Sequence, residues 1–91
     1  MLEKRQLIMQ NITTEQPLNG CIRIVNSEYE IYLGTLQGLI WRKISENGQL
    51  TIGELYQLLI SENINISYDE LVEVVSVFLR YGLVVIRDEL W

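Results

Sequence analysis

The sequence predicts a single small α+β domain, and three features of its 91 residues lead to that expectation. Apolar and polar residues alternate across residues 21–33, which is the period of half-buried strands. From Leu36 onward the apolar spacing changes to about 3.6 residues, the period of amphipathic helices. Two helix-start motifs follow, at Thr51 and Ser67. With 48% hydrophobic residues, a chain of this length can build one compact core.

A first strand and a polar loop are expected at the amino-terminal end. Weak alternation through Leu7 and Met9 predicts a strand over residues 5–10. Residues 11–20 are polar and end in the turn-forming pair Asn19-Gly20, so we expect a loop there.

The clearest strand prediction is a hairpin. Its first strand, residues 21–25, places Ile22 and Ile24 on one face, and a turn follows at Asn26-Ser27. Its second strand, residues 29–33, alternates again and runs directly into a helix. Because this second strand is short and precedes a helical region, we expect it at a sheet edge, where it could accept a peptide as an added strand.

Two helices are predicted next. The first starts after Thr35, its expected cap, and runs to about Ser45. Its expected apolar stripe is Leu36, Leu39, Ile40 and Ile44. The second helix opens with a capping box formed by Thr51 and Glu54 and spans roughly residues 52–62.

A third helix has signals at both ends. Ser67 and Glu70 form a capping box at its start, and Gly82 stands where a left-handed C-cap is common. Its expected core stripe is Leu71, Val74, Val75 and Phe78. Residues 83–86 predict a final short strand, and residues 87–91, which end in Trp91, are expected to form a tail.

The third helix carries more apolar surface than one buried stripe needs. Val72 and Leu79 extend the stripe on one flank, and Val77 and Tyr81 extend it on the other. One interpretation is that both flanks pack in the core. The other is that one flank forms a groove wall facing the strand at residues 29–33.

Composition excludes several classes of function. A net charge of −5 repels phosphate backbones and anionic lipid surfaces, so neither nucleic acid nor membrane is expected as a partner. The chain has no histidine and only one cysteine, Cys21, and it lacks metal-ligand spacings and glycine-rich phosphate loops. We therefore expect a non-enzyme with no catalytic residues, metal or cofactor. The absence of a signal sequence and of a long apolar run predicts a cytoplasmic protein.

The order of predicted elements resembles a winged helix-turn-helix arrangement. A DNA-binding protein of that kind is the alternative interpretation, but it needs a basic recognition helix. The third helix instead offers Arg80 against three acidic residues, Asp69, Glu70 and Glu73. A small acidic carrier protein is a further alternative, but the Asp-Ser-Leu attachment motif is absent.

Four short motifs together resemble the PqqD-like family. They are Tyr29-Glu-Ile-Tyr-Leu33, Leu39-Ile40-Trp41, Leu50-Thr-Ile-Gly-Glu-Leu55 and Val77-Phe-Leu-Arg-Tyr-Gly-Leu83. They are similar to the family's strand ending in Leu-Asn, its Ile-Trp helix, its Thr-x-x-Glu-Leu helix start and its closing Leu-x-x-Gly-Leu. The resemblance covers about residues 21–86. Gly34 stands where the family usually has Asn, and residues 11–20 have no clear family counterpart.

The resemblance implies a RiPP recognition element, with a three-stranded antiparallel sheet packed on three helices in one domain, residues 1–91. Such domains bind the leader region of a ribosomally synthesised precursor peptide and present it to a partner. The partner is a modifying enzyme of the radical SAM type or a leader peptidase of the lasso type, and the sequence leaves this choice open. In the family, the leader pairs with the third strand and lies against the third helix. Mapped here, the implied peptide-binding residues are Tyr29, Glu30, Ile31, Tyr32, Leu33, Val72, Val75, Ser76, Leu79 and Arg80.

Overall fold

The computed structural model describes residues 4–87, which form six strands and three helices. In chain order these elements are β1 (Leu7–Gln10), β2 (Thr14–Leu18), β3 (Cys21–Val25), β4 (Glu30–Leu33), α1 (Thr35–Asn47), β5 (Gln49–Thr51), α2 (Ile52–Ser61), α3 (Tyr68–Arg80) and β6 (Val84–Arg87). The predicted α+β class is confirmed. The predicted tail through Trp91 lies almost entirely outside the described residues. The longest described helices have 13 residues, and none is long and apolar enough to cross a membrane.

The strands form two antiparallel sheets, whereas one three-stranded sheet was expected. The first sheet has the order β2-β3-β4, and the second has the order β5-β1-β6. The predicted hairpin of β3 and β4 is confirmed, with Ile22 and Ile24 buried on its inner face. The predicted first and last strands are also confirmed, but they pair with each other in the second sheet and do not extend the hairpin.

The expectation of a loop over residues 11–20 is wrong, because β2 lies within it and pairs with β3 along its whole length. All five side chains of β2 are exposed, and one of them is Pro17. The strand therefore lacks the apolar alternation from which strands are recognised. The turn at Asn19-Gly20 is present between β2 and β3, and Gly20 has a φ of 86°, which favours glycine.

The capping boxes of α2 and α3 are confirmed. In α2 the Thr51 Oγ1 accepts a hydrogen bond from the Glu54 N–H at 3.0 Å, and Glu54 Oε1 accepts one from the Thr51 N–H at 2.8 Å. In α3 the pair Ser67 and Glu70 makes the same two bonds at 3.1 and 3.0 Å. These four bonds satisfy N–H groups that a helix start leaves without intrahelical partners.

The carboxy-terminal end of α3 is also as predicted. Gly82 has a φ of 72°, and its N–H donates to the Leu79 carbonyl at 3.1 Å. The Leu83 N–H donates to the Phe78 carbonyl at 2.8 Å. These two bonds are those of a Schellman motif, which turns the chain away from α3 toward β6.

The start of α1 differs from the prediction. The N-cap is Gly34 and not Thr35, which is the first helical residue. Glycine has no side chain to cap the helix, so only the reciprocal bond forms, in which Gln37 Oε1 accepts from the Gly34 N–H at 2.9 Å. Leu36, expected in the core stripe, remains 36% exposed because the first turn of α1 extends beyond the core.

One hydrophobic core joins both sheets to all three helices. The largest fully buried side chains are Ile8, Ile24, Ile40, Trp41, Ile44, Ile52, Leu55, Leu59, Leu71, Val75, Phe78 and Leu83. Burying each such side chain contributes about 1.5–3 kcal/mol relative to exposure. At the centre, the rings of Trp41 and Phe78 meet edge to face at 5.7 Å. This core holds the inner face of β4 and the buried face of α3 in fixed positions.

Candidate functional site

The strand β4 is an edge strand with one side open. It pairs with β3, and no other strand among residues 4–87 pairs with it. The Asn26 N–H donates to the Tyr29 carbonyl at 3.0 Å, so these two residues form a hydrogen-bonded pair of the antiparallel ladder. Because such pairs alternate with non-bonded pairs along a ladder, the N–H and C=O groups of Glu30 and Tyr32 point away from β3. The prediction of an edge strand here is confirmed.

The opposite edge of the same sheet is formed by β2 and is less suited to strand addition. In the β2–β3 ladder the pair Gln16 and Arg23 is hydrogen-bonded by the same alternation, so Pro17 points its ring nitrogen to the open side. Proline has no N–H to donate to an added strand and is typical of edges that resist pairing. The two edges therefore differ, because one of the two outward-facing residues of β2 has no N–H, whereas both outward-facing residues of β4 have one.

A groove of about 290 Å³ lies between β4 and α3, and we call it the β4–α3 groove. The strand contributes Ile31, Tyr32 and Leu33, the first turn of α1 contributes Leu36 and Gln37, and α3 contributes Glu70, Glu73, Val74, Val77 and Phe78. The open backbone edge of β4 and an apolar cleft thus lie side by side.

The groove combines apolar side chains with an acidic rim. Tyr32 is 57% exposed and Leu36 is 36% exposed, while Val74 and Val77 are half-buried. Glu73 stands beside them and is exposed. The groove thus offers apolar contacts that are bordered by a carboxylate.

Asn26 links the turn before β4 to the carboxy-terminal end of α3, next to the groove. Its Nδ2 donates to the Tyr81 carbonyl at 2.8 Å, and its Oδ1 accepts from the N–H groups of Glu28 and Tyr29 at 2.8 and 2.7 Å. The rings of Tyr29 and Tyr81 meet edge to face with centroids 5.0 Å apart. These contacts tie the turn before β4 to Tyr81, the residue that follows α3, and so fix the spacing between the strand and the helix at this end.

Three of the five predicted strand residues line the groove, and two do not. Ile31, Tyr32 and Leu33 line it, whereas Tyr29 precedes β4 and is 43% exposed. The side chain of Glu30 lies on the outer face of the sheet, where its carboxylate pairs with Arg23. The strand thus offers backbone groups at two residues and apolar side chains at its inner face.

The helical half of the predicted site does not face β4. Val75 is fully buried in the core, and Ser76 donates its hydroxyl to the Val72 carbonyl at 2.7 Å. Leu79 and Arg80 line a different cavity. With 100° per residue, Val72, Ser76, Leu79 and Arg80 lie on one side of Val75, whereas Val74, Val77 and Glu70 lie on the other. Glu73 is almost diametrically opposite Val75 and also lines the groove. The structure thus places Glu70, Glu73, Val74 and Val77 beside β4, and none of the helical residues predicted for peptide binding lines this groove.

The cavity beside Leu79 and Arg80 measures about 590 Å³. It lies under the connection between β1 and β2 and the turn between β3 and β4. Ile12 in that connection is 94% exposed, the highest value among the described large apolar side chains.

Hydrogen bonds shift the pKa of two groups near the groove. The backbone and side-chain hydrogen bonds with Ser67 lower the pKa of Glu70. The hydrogen bond and charge of Glu30 raise the pKa of Arg23. Glu73 forms no ion pair with any cation among residues 4–87.

Metal-ligating and nucleophilic groups are sparse in the described part of the chain. Residues 4–87 contain no cluster of three or more cysteine, aspartate or glutamate side chains that could hold a metal ion. The Cys21 thiol is free and half-buried, near the tip of the β2–β3 hairpin.

Comparison with protein-family models, with curated proteins and with solved structures finds no match to this chain.

Proposed function

We propose that this domain binds the leader region of a ribosomally synthesised precursor peptide by strand addition at β4 and delivers it to a partner enzyme. The partner is a modifying enzyme of the radical SAM type or a leader peptidase of the lasso type. The observation that carries the proposal is the open backbone edge at Glu30 and Tyr32 beside an apolar groove.

Strand addition explains why a peptide would bind at this place. An extended segment can exchange hydrogen bonds with the N–H and C=O groups of Glu30 and Tyr32. Every second side chain of that segment then points toward Leu36, Val74 and Val77. Each backbone hydrogen bond contributes about 0.5–1.5 kcal/mol net, so apolar contacts in the groove must supply much of the affinity.

The resemblance to the PqqD-like family supports the same two elements. In that family the leader pairs with the third strand and lies against the third helix. Here β4 is the third strand of the first sheet, and α3 is the third helix. The proposed role is binding and delivery, with no reaction carried out by the domain itself.

A titration of isotope-labelled domain with leader peptides of precursors encoded beside it tests the proposal. We expect saturable binding, with the largest amide shifts at Glu30, Tyr32, Val74 and Val77. Largest shifts in α1 and α2, with β4 unaffected, would contradict strand addition.

A pair of variants at one position separates backbone pairing from side-chain contact. Tyr32→Pro removes an N–H that points away from β3, whereas Tyr32→Thr removes the ring and keeps that N–H. We expect Tyr32→Pro to bind the leader about tenfold more weakly than Tyr32→Thr, in line with the loss of a backbone bond and its partner's desolvation. Equal affinities for the two folded variants would argue against pairing at this edge.

A further inference from the structure

We infer that the segment bound in the β4–α3 groove carries a lysine or arginine that faces Glu73 on the helix wall. This inference rests on the proposed function and adds the charge of the ligand at that site.

Glu73 is the acidic side chain of the groove that no described residue engages. Glu30 pairs with Arg23, and Lys43 pairs with both Glu46 and Glu62. Glu70, the other acid of the groove, already accepts a hydrogen bond from the Ser67 N–H in the capping box. Glu73 is exposed on the rim and has no such partner among residues 4–87.

The positions on α3 fit a long basic side chain. Val77 lies one helical turn after Glu73, on the same side of the helix, and Val74 lies between them and the core. The aliphatic stem of a lysine or arginine can pack on these valines while its charged end reaches the Glu73 carboxylate. A charge-assisted hydrogen bond to that carboxylate is stronger than a bond between neutral groups.

The surrounding charge favours the same sign of ligand. No lysine or arginine is among the residues that line the groove, and two glutamates are. The chain as a whole carries a net charge of −5. An acidic side chain at this wall would be repelled by the two glutamates that line it, so charge also discriminates against wrong segments.

The test is a selection of extended peptides from a randomised display library on three forms of the domain. They are the wild type, Glu73→Lys, and Glu46→Lys as the control. Both variants change the net charge equally, but Glu46 lies in the last turn of α1 and does not line the groove. The fold should survive in each. The lysine introduced at Glu73 lies one turn after Asp69 and Glu70. The lysine introduced at Glu46 removes the pair with Lys43, but Lys43 keeps its pair with Glu62, and the last turn of a helix favours cations.

We expect peptides selected on the wild type and on Glu46→Lys to be enriched in lysine and arginine over aspartate and glutamate. On Glu73→Lys this enrichment should be lost or reversed. For a single selected peptide, replacing its basic residue by glutamate should weaken binding to the wild type by about fivefold or more, the effect of losing one exposed charge pair and adding repulsion.

Two failures are distinguishable. If selected peptides shift the amides of Glu30 and Tyr32 but show no charge preference, or the same preference on Glu73→Lys, the charge inference is wrong and the proposed function stands. If no selected peptide shifts those amides, the proposed function fails, and the inference fails with it.

Discussion

Asn26 shows how much of the groove geometry depends on a single side chain. Its amide joins three backbone groups, one at the end of α3 and two in the turn before β4. No other described side chain makes a hydrogen bond between this turn and α3. The spacing between β4 and α3 at this end therefore depends on the Asn26 amide together with the contact between the Tyr29 and Tyr81 rings.

Replacing Asn26 by alanine should destabilise the domain by about 1–3 kcal/mol, because a half-buried carbonyl and two N–H groups lose their partner. The free energy of unfolding in urea measures this effect. Asn65→Ala is the matched control, since Asn65 is exposed and makes no hydrogen bond with the described residues, and it should change the stability by less than about 0.5 kcal/mol. Equal stabilities for the two variants would show that Asn26 does not hold the turn.

At the residue scale, local chemistry was the most predictable part of the chain. Thr51, Ser67 and Gly82 were identified as caps because their effect depends on neighbours three residues away or closer. Thr35 was the wrong cap for α1, because Gly34 already has the extended backbone that an N-cap requires.

At the element scale, a strand or helix could be predicted only where one of its faces is buried and the other is exposed. The strand β3 alternates clearly because one face is buried. The strand β2 has no buried face, and β5 has three residues, so neither produces a recognisable pattern. On α3 both flanks are apolar, and the position of β4, a tertiary feature, determines which of them borders the groove.

The two flanks of α3 can be compared with one charge on each. Val77→Asp places a carboxylate among the apolar residues of the groove, and Ser76→Asp places one on the opposite flank. We expect Val77→Asp to weaken leader binding by about tenfold or more, because a carboxylate buried by the peptide has no partner there. Ser76→Asp should leave the affinity nearly unchanged, as measured by fluorescence anisotropy on variants whose circular dichroism is native. The reverse result would return the site to the flank of Val72 and Leu79.

At the scale of the whole molecule, the two sheets contribute different strands to one shared core. The second sheet contacts α1 and α3 through β1 and β6, while the first contributes β3 and β4 to the same core. The expectation of a single sheet failed because sheet membership depends on which strands pair over long separations, as β1 and β6 do. The strand predicted at residues 29–33 nevertheless lies at a sheet edge, because β4 is the last strand in the order β2-β3-β4.

If the domain acts by delivery, its effect should appear only with a leader-bearing substrate. The partner enzyme should lose most of its preference for full-length over leaderless precursor when the domain is omitted, because tethering raises the local substrate concentration. Product formation with both substrates, with and without the domain, measures this. Cys21→Ser should support the partner as well as the wild type does. Full modification of leader-bearing precursor in the absence of the domain, or a specific loss of activity in folded Cys21→Ser, would contradict delivery as the role.

The small extent of the open edge also bears on how the domain behaves with its own copies. An unpaired strand edge is a template for self-association, and proteins commonly limit that hazard with short edge strands and nearby charge. β4 has four residues, and only Glu30 and Tyr32 present their backbone groups outward. Two copies joined edge to edge through β4 would therefore exchange hydrogen bonds at only these two residues of each strand. The shortness of the open edge thus limits pairing between copies, as is common for edge strands of proteins that avoid self-association.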